Sequence, residues 1–359
     1  MPEADTPRPL AGKRIVELSQ FIAGPTAAQY LADFGADVLK LEPPRGDGVR
    51  TLPGNQYGSF YARSFNTGKR SQVLDLADGR QALDALLDEA DAFICNLAPG
   101  SLARLDLQGP ALRRRHPRLT VVLISGYGQQ DDRVCMDTIA QCESGFALLN
   151  GNEDGTPRLS TGWPVDMFSG MYAGLSCAMA VLEGRARLID ISMMEVASAM
   201  LLGPAALALS EGETLDPPMG NRDRASAPSS IYRCADGHVY ILGGLDSYWA
   251  RLRPLIGAED APIQERIRRA AHFDALVEAW TLPQTREEVL RQARALQIPA
   301  GNVQPPAQAL ALIRQLRPGA VSQALPSGEH VPAFPALFDG LRIARSATPH
   351  VGGPKRETP

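Results

Sequence analysis

Short apolar runs alternate with amphipathic stretches along the first half of the chain. R-I-V-E-L (Arg14 to Leu18) reads as a strand. A helical stretch follows, with Pro25 where a first turn tolerates proline and Ala27, Ala28, Tyr30 and Leu31 behind it. Gly35 closes it, and D-V-L-K-L-E (Asp37 to Glu42) is the next strand. S-Q-V-L-D-L (Ser71 to Leu76), G-R-Q-A-L-D-A-L-L-D-E-A (Gly79 to Ala90) and D-A-F-I-C-N (Asp91 to Asn96) repeat the strand–helix–strand order. L-T-V-V-L-I-S-G-Y-G (Leu119 to Gly128) adds a strand after a short basic helix. Such alternation predicts an open α/β fold with a parallel sheet, whose ligands bind beyond the carboxyl ends of its strands. From about Asn221 the character changes: S-I-Y-R-C-A-D-G-H-V-Y-I-L is a hairpin turning at Asp236-Gly237, and T-R-E-E (Thr285 to Glu288) is a capping box opening a later helix. The expected division is 1–220, a large domain; 221–317, a smaller α+β domain; and 318–359, a proline-rich segment returning across the large domain.

Composition narrows the classes. With 36 Lys and Arg against 40 Asp and Glu, the net charge of −4 lacks the basic bias of a dedicated nucleic-acid binder. The one basic clump, Arg113-Arg114-Arg115-His116, reads as a solvated helix face. Cys95, Cys135, Cys142, Cys177 and Cys234 form no C-x-x-C pair, and the histidines show no metal-ligand spacing. The polar start, M-P-E-A-D-T-P-R-P-L, has no signal-peptide core, and the greasy run Ala199 to Leu209 is broken by Gly203-Pro204 and too short to span a bilayer. A cytoplasmic protein that engages neither membrane nor nucleic acid is expected, its last residues, G-G-P-K-R-E-T-P, forming a disordered tail.

Three stretches carry candidate chemistry. The first strand–helix turn, S-Q-F-I-A-G-P-T, is not a dinucleotide fingerprint, but Ala23 and Gly24 let backbone N–H groups approach a ligand. A tight turn needing small residues is an equal reading. N-T-G-K-R-S (Asn66 to Ser71) and N-L-A-P-G-S-L-A-R-L (Asn96 to Leu105) place Lys69, Arg70 and Arg104 where phosphates could sit, although cations near helix ends are usually solvated. S-T-G-W-P-V-D-M-F-S-G-M-Y-A-G (Ser160 to Gly174) sets one carboxylate, Asp166, at the start of a helix lined with small residues. Periodicity alone favours a helix cap over a nucleophile. The two are compatible, since free N–H groups at a helix start also stabilise a developing oxyanion.

Taken together, I-V-E-L-S-Q-F-I-A-G-P, L-A-D-F-G-A-D-V-L-K-L-E-P-P, N-T-G-K-R-S-Q-V-L-D-L, D-T-I-A-Q-C-E-S-G, W-P-V-D-M-F-S-G-M-Y-A-G, I-D-I-S-M-M-E and Y-R-C-A-D-G-H-V-Y-I, in this order, resemble the class III CoA-transferases (CaiB/BaiF type). That group includes formyl-CoA transferase, carnitine CoA-transferase and the 2-methylacyl-CoA racemases. The resemblance implies a Rossmann-like large domain built from both chain ends, a smaller α+β domain and an interlocked homodimer. It makes Asp166 the catalytic aspartate, forming a mixed anhydride and then an aspartyl-CoA thioester as CoA passes from an acyl-CoA to a carboxylic acid. Coenzyme A is then a substrate, with no permanently bound cofactor and no metal. By the same resemblance CoA is contacted by Phe21, Ile22, Ala23, Leu74, Asp75, Leu76, Ala77, Asn96, Leu97, Ala98, Arg104, Met136 and Asp137.

There are departures. Ile22 replaces a substrate-contacting glutamine of formyl-CoA transferase, Pro43 a basic residue, and Ala77 a CoA-contacting lysine. Met136 stands where the racemases have a histidine, and a thioether carries no proton. An acyl-CoA racemase or isomerase using Asp166 as a base, and a catalytically inactive CoA-binding protein, are the alternatives. Asp246 lies where racemases carry a further acid, though a turn residue after Gly243-Gly244 fits it as well. The glycine pair is a candidate water shield or a plain turn. The chain ends before the family's usual final helix, so a trimmed dimer contact is expected.

Overall fold

The computed structural model describes residues 6–201, 203, 206, 209–210 and 218–353. Of the tail expected over Gly352–Pro359, Gly352 and Gly353 are instead held against Ser71, and the rest, like much of the run after Met200 including Pro204, lies outside the described residues.

Six strands form one wholly parallel sheet: β1 (Arg14–Leu18), β2 (Asp37–Glu42), β3 (Arg70–Val73), β4 (Ala92–Cys95), β5 (Thr120–Ser125) and β6 (Leu188–Ser192). Their order is β3-β2-β1-β4-β5-β6. Crossovers run one way from β1 to β3 and the other way from β4 to β6, so β1 and β4 flank the switch point where a crevice opens beyond the carboxyl ends. Arg14 pairs with Asp37 on one side of β1, and Leu18 with Cys95 on the other.

Alternate residues of these strands face opposite layers, as strand periodicity requires. Ile15, Val38, Ile94 and Val122 pack beneath the helices Ala23–Asp33 and Pro164–Glu183. Val16, Leu39, Phe93 and Val121 pack against Leu83, Leu87, Leu102 and Leu112 on the other side. The helix Pro164–Glu183 is central because glycine lets it approach closely. A Cβ at Gly170 would stand 2.6 Å from the Ala23 carbonyl oxygen, and one at Gly174 would stand 3.1 Å from that of Ala27.

The chain divides into two compact units. The first holds Met1–Phe146, Leu159–Leu215 and Ile313–Pro359; the second holds Ala147–Arg158 and Asp216–Leu312. The second unit takes in the excursion Ala147–Arg158, a stretch from inside the expected 1–220 domain. That stretch carries no periodic apolar pattern and is held by polar bonds: the Gly220 N–H donates to the Gly151 carbonyl, and Arg222 pairs with Glu153.

In the first unit the C-terminal segment is tied down on the outer side of the first helix. Arg345 donates two hydrogen bonds to Asp33, at 2.8 and 2.5 Å, and Phe34 meets the edges of Phe334 and Phe338. The Ser71 N–H donates to the Gly353 carbonyl, covering the open edge of β3. The second unit is a three-stranded antiparallel sheet of β7 (Ser229–Cys234), β8 (Gly237–Leu242) and β9 (Ala300–Val303), in the order β9-β8-β7. Helices flank it over a core including Tyr232, Val239, Trp249, Phe273 and Val289. Only half of the expected capping box forms: Thr285 Oγ1 accepts the Glu288 N–H, while the Glu288 carboxylate turns to Arg291 and Gln292.

Two local expectations change. The strand expected over Ser71 to Leu76 ends at Val73, because Leu74 turns into the core and Asp75 accepts the Ala77 N–H in a turn. The basic clump is a solvated face only in part: Arg114 is exposed, but Arg115 is bonded to Asp106, and His116 is buried between Asp84 and Asp88.

Candidate functional site

A cavity of about 250 Å³ opens at the carboxyl ends of β1, β4 and β5. Phe21, Ile22 and Ala23 line it from the turn after β1, Asn96, Leu97 and Ala98 from the turn after β4, and Met136 and Asp166 from further along. Seven of the residues expected to contact CoA, together with the candidate nucleophile, thus share one cavity.

The turn after β1 is held from below by buried charge. Glu17 is fully buried and takes the Lys40 and Lys69 ammonium groups at 2.8 and 2.7 Å. Burial pushes its acid up, but the two cations overcome that and hold it at about 2. Lys40 also pairs with Asp47 at 3.0 Å, and Asp47 accepts the Phe21 N–H, fixing a residue with φ of 62°. On the other side, the Asn96 carboxamide accepts from the Gln20 N–H and donates to the Gln20 carbonyl. The turn therefore presents the start of the helix Ala23–Asp33 in a fixed pose. Among the described residues, neither the Ala23 nor the Gly24 N–H has a hydrogen-bond acceptor. Gly24 is required there, since a Cβ would stand 2.3 Å from that of Ser19.

Lys69 and Arg70 are corrected by this network. Lys69 is wholly buried on Glu17, the Pro25 carbonyl and Asn66, and Arg70 makes a two-pronged pair with Asp37. Neither is offered to a phosphate.

Asp166 sits in the first turn of the helix Pro164–Glu183 and is 8% exposed. It does not cap that helix. Asp137 does, its Oδ2 accepting the N–H groups of Val165 at 2.8 Å and Asp166 at 3.1 Å. The Met167 N–H donates to the Trp163 carbonyl, so this helix start keeps no free amide for an oxyanion, contrary to expectation. The same helix that carries Asp137 carries Gln141 one turn on, which grips Ser160 through both its N–H and its carbonyl. The D-T-I-A-Q spacing was the readable signal for this brace, since residues four apart share a helix face. Trp163, at φ 52°, is steadied by the ring of Tyr61 at 5.4 Å.

Relieved of capping, the Asp166 carboxylate accepts no hydrogen bond among the described residues. Burial, and then the charge of Asp137, raise its acid to about 7. A carboxylate that is neither paired nor fully hydrated keeps its lone pairs for chemistry.

The remaining expected contacts are spread further. Leu74 is buried in the core, and Asp75, Leu76 and Ala77 form the turn beyond β3, outside the cavity lining. Arg104 is exposed at the end of the helix Pro99–Arg104 and, among the described residues, is bonded only to Ser101. Asp137 is 2% exposed and acts on the protein itself, as the cap of the Asp166 helix. In the second unit, Gly243 and Gly244 are packed turn residues, and Asp246 opens a helix and pairs with the buried Arg266 at 2.7 Å.

A family model described as CoA-transferase family III matches residues 10–354. A succinate–glutarate CoA-transferase of Agrobacterium fabrum is 31% identical over 82% of this chain and 80% of its own. A succinyl-CoA–D-citramalate CoA-transferase of Chloroflexus aurantiacus is 29% identical over 83% and 79%, and a probable fatty acyl-CoA transferase of Mycobacterium tuberculosis 29% over 74% and 73%. Among solved structures, a CaiB/BaiF family protein from Brucella suis superposes with a TM-score of 0.81 at 27% identity, covering 98% of this chain and 97% of that one.

Proposed function

The chain belongs to CoA-transferase family III, and on that premise we propose that it moves coenzyme A from an acyl-CoA thioester to a carboxylic acid, with Asp166 as the covalent nucleophile. One observation carries this reading: among the described residues, the sole carboxylate lining the cavity at the sheet's switch point is buried, has no hydrogen-bond donor to it and is freed from capping by a second aspartate.

In its ionised form Asp166 attacks the thioester carbonyl, and the C–S bond breaks to give a mixed anhydride and a CoA thiolate. The thiolate then attacks the aspartyl carbonyl, releasing the donor acid and leaving an aspartyl-CoA thioester. An acceptor carboxylate runs both steps in reverse. Each bond broken is replaced by one of similar energy, so no external energy source is needed. The developing oxyanion needs donors, and the open N–H groups of Ala23 and Gly24 support that role better than the Asp166 helix does. Asn96, Leu97 and Ala98 would flank the pantetheine arm, with Leu74 to Ala77 and exposed Arg104 toward the nucleotide. Met136 supplies no proton carrier, which disfavours two-base racemisation.

We also propose that the chain works as a cytoplasmic homodimer. The helix Pro164–Glu183 is long and apolar enough to cross a membrane. Gly170 and Gly174 bury one of its faces against a neighbouring helix. The opposite stripe, Phe168, Met171, Tyr172, Leu175, Met179 and Leu182, is left exposed beside a groove of about 520 Å³. A second copy is the occupant we assign to it.

The test is to incubate the protein with an acyl-CoA and to examine the Asp166 peptide by mass spectrometry. A CoA-sized adduct is expected; its absence while turnover proceeds removes Asp166 from covalent chemistry.

A further inference from the structure

We infer that the acid this site accepts is a short apolar monocarboxylate rather than a dicarboxylate; the inference rests on the reading of Asp166 as the acyl-accepting group. It follows from the charge and polarity of what surrounds that carboxylate. Ile22, Ile124, Val134, Met136 and Met193 line the cavity with it. Its other polar side chains, Gln20, Asn96 and Ser125, are neutral, and the Asn96 amide is already committed to the Gln20 backbone.

Arg133 is the single cation on the lining, and its charge is spoken for. Its guanidinium donates to Asp131, with closest contacts of 2.9 Å, lies 3.7 Å from Glu143, and stacks 3.8 Å over the Tyr127 ring. A second carboxylate on the acyl chain would therefore enter an apolar space beside the Asp166 charge, where the one lining cation among the described residues is the solvent-facing Arg133, already paired with Asp131. Such a group carries a large desolvation cost, which an apolar chain of equal length avoids.

Size adds a second limit. The cavity of about 250 Å³ must also seat the reacting carbonyl, the sulfur and the end of the CoA arm, so the room left for an acyl chain is small.

Two of the curated relatives are named for succinate, glutarate or citramalate, so the inference separates this chain from them on a measurable property. The experiment measures acceptor kcat/KM with a common acyl-CoA donor for butanoate, pentanoate and hexanoate against succinate, glutarate and adipate. At matched length the monocarboxylate is expected to exceed the dicarboxylate by at least about tenfold, and Met136→Lys, which places a cation on the lining, is expected to narrow that ratio. Preference for the dicarboxylates, with the Asp166 adduct intact, overturns the inference and leaves the transferase reading standing. A monocarboxylate preference that Met136→Lys does not shift also overturns it, since the acyl chain then lies elsewhere. Failure of every acid together with absence of the adduct removes both.

Discussion

Replacing Asp166 by asparagine is expected to strengthen the fold while abolishing turnover, by an amount that depends on pH. Burial and the nearby Asp137 charge raise the Asp166 acid from its ordinary 3.8 to about 7. Between those values the folded chain keeps a proton that the unfolded chain has released, so stability falls as pH rises through the window. A displacement of about three pH units corresponds to about 4 kcal/mol, fully expressed above pH 8 and nearly absent at pH 4. Asparagine has the same shape and does not titrate. Urea denaturation of both proteins at several pH values between 4.5 and 8 isolates the term, because the rest of the chain is common to both. We expect Asp166→Asn to gain on the wild type about 1 kcal/mol at pH 4.5, rising to about 4 kcal/mol at pH 8, with turnover lost by three orders of magnitude or more. Parallel stability profiles would refute the argument, because they would mean that the carboxylate is neither desolvated nor opposed by charge.

Three further outcomes follow from the same geometry. The acid limb of kcat/KM should sit near pH 7, activity at pH 6 falling to about a tenth of its plateau; Asp137→Asn, by removing a negative neighbour, should move that limb to lower pH, read from the pH profile. Asp137→Ala strands two N–H groups at the start of the Asp166 helix and should cost about 2–3 kcal/mol by chemical denaturation. Gly170→Ala drives a methyl group against the Ala23 carbonyl, so despite its better helix propensity it should destabilise by about 1–3 kcal/mol and lower kcat, checked by calorimetry and initial rates.

Much of the scaffold could be read from the chain because its signals are local. The β1–helix–β2 unit, the hairpin at Asp236-Gly237 and the Thr285 cap each depend on residues close in sequence, where propensity and turn chemistry decide. What escaped reading depends on pairing at a distance. Asp166 looks like a cap until Asp137, 29 residues earlier, takes the amides. Lys69 looks like a phosphate ligand until Glu17, 52 residues away, buries it. Trp163, Phe168 and Met194 are large apolar residues of the same segments, yet none lines the cavity with Asp166. Trp163 meets Tyr61 edge-on, Phe168 lines the groove of the exposed helix face and Met194 packs against the core. Helical phase at Asp166 and the left-handed Trp163 decide that division, and neither is visible in composition.

The Asp33–Arg345 clamp ties together residues 312 positions apart. During synthesis the guanidinium that neutralises the last acid of the first helix leaves the ribosome 312 residues after that acid, and the two phenyl rings that cover Phe34 follow it by a similar span. Until then the nascent protein carries an unmatched charge and a bare aromatic ring on an otherwise assembled layer. A stop codon ahead of Phe334 would leave that wound permanently open, yielding a chain that builds its sheet and is then cleared by proteases or lost to aggregation.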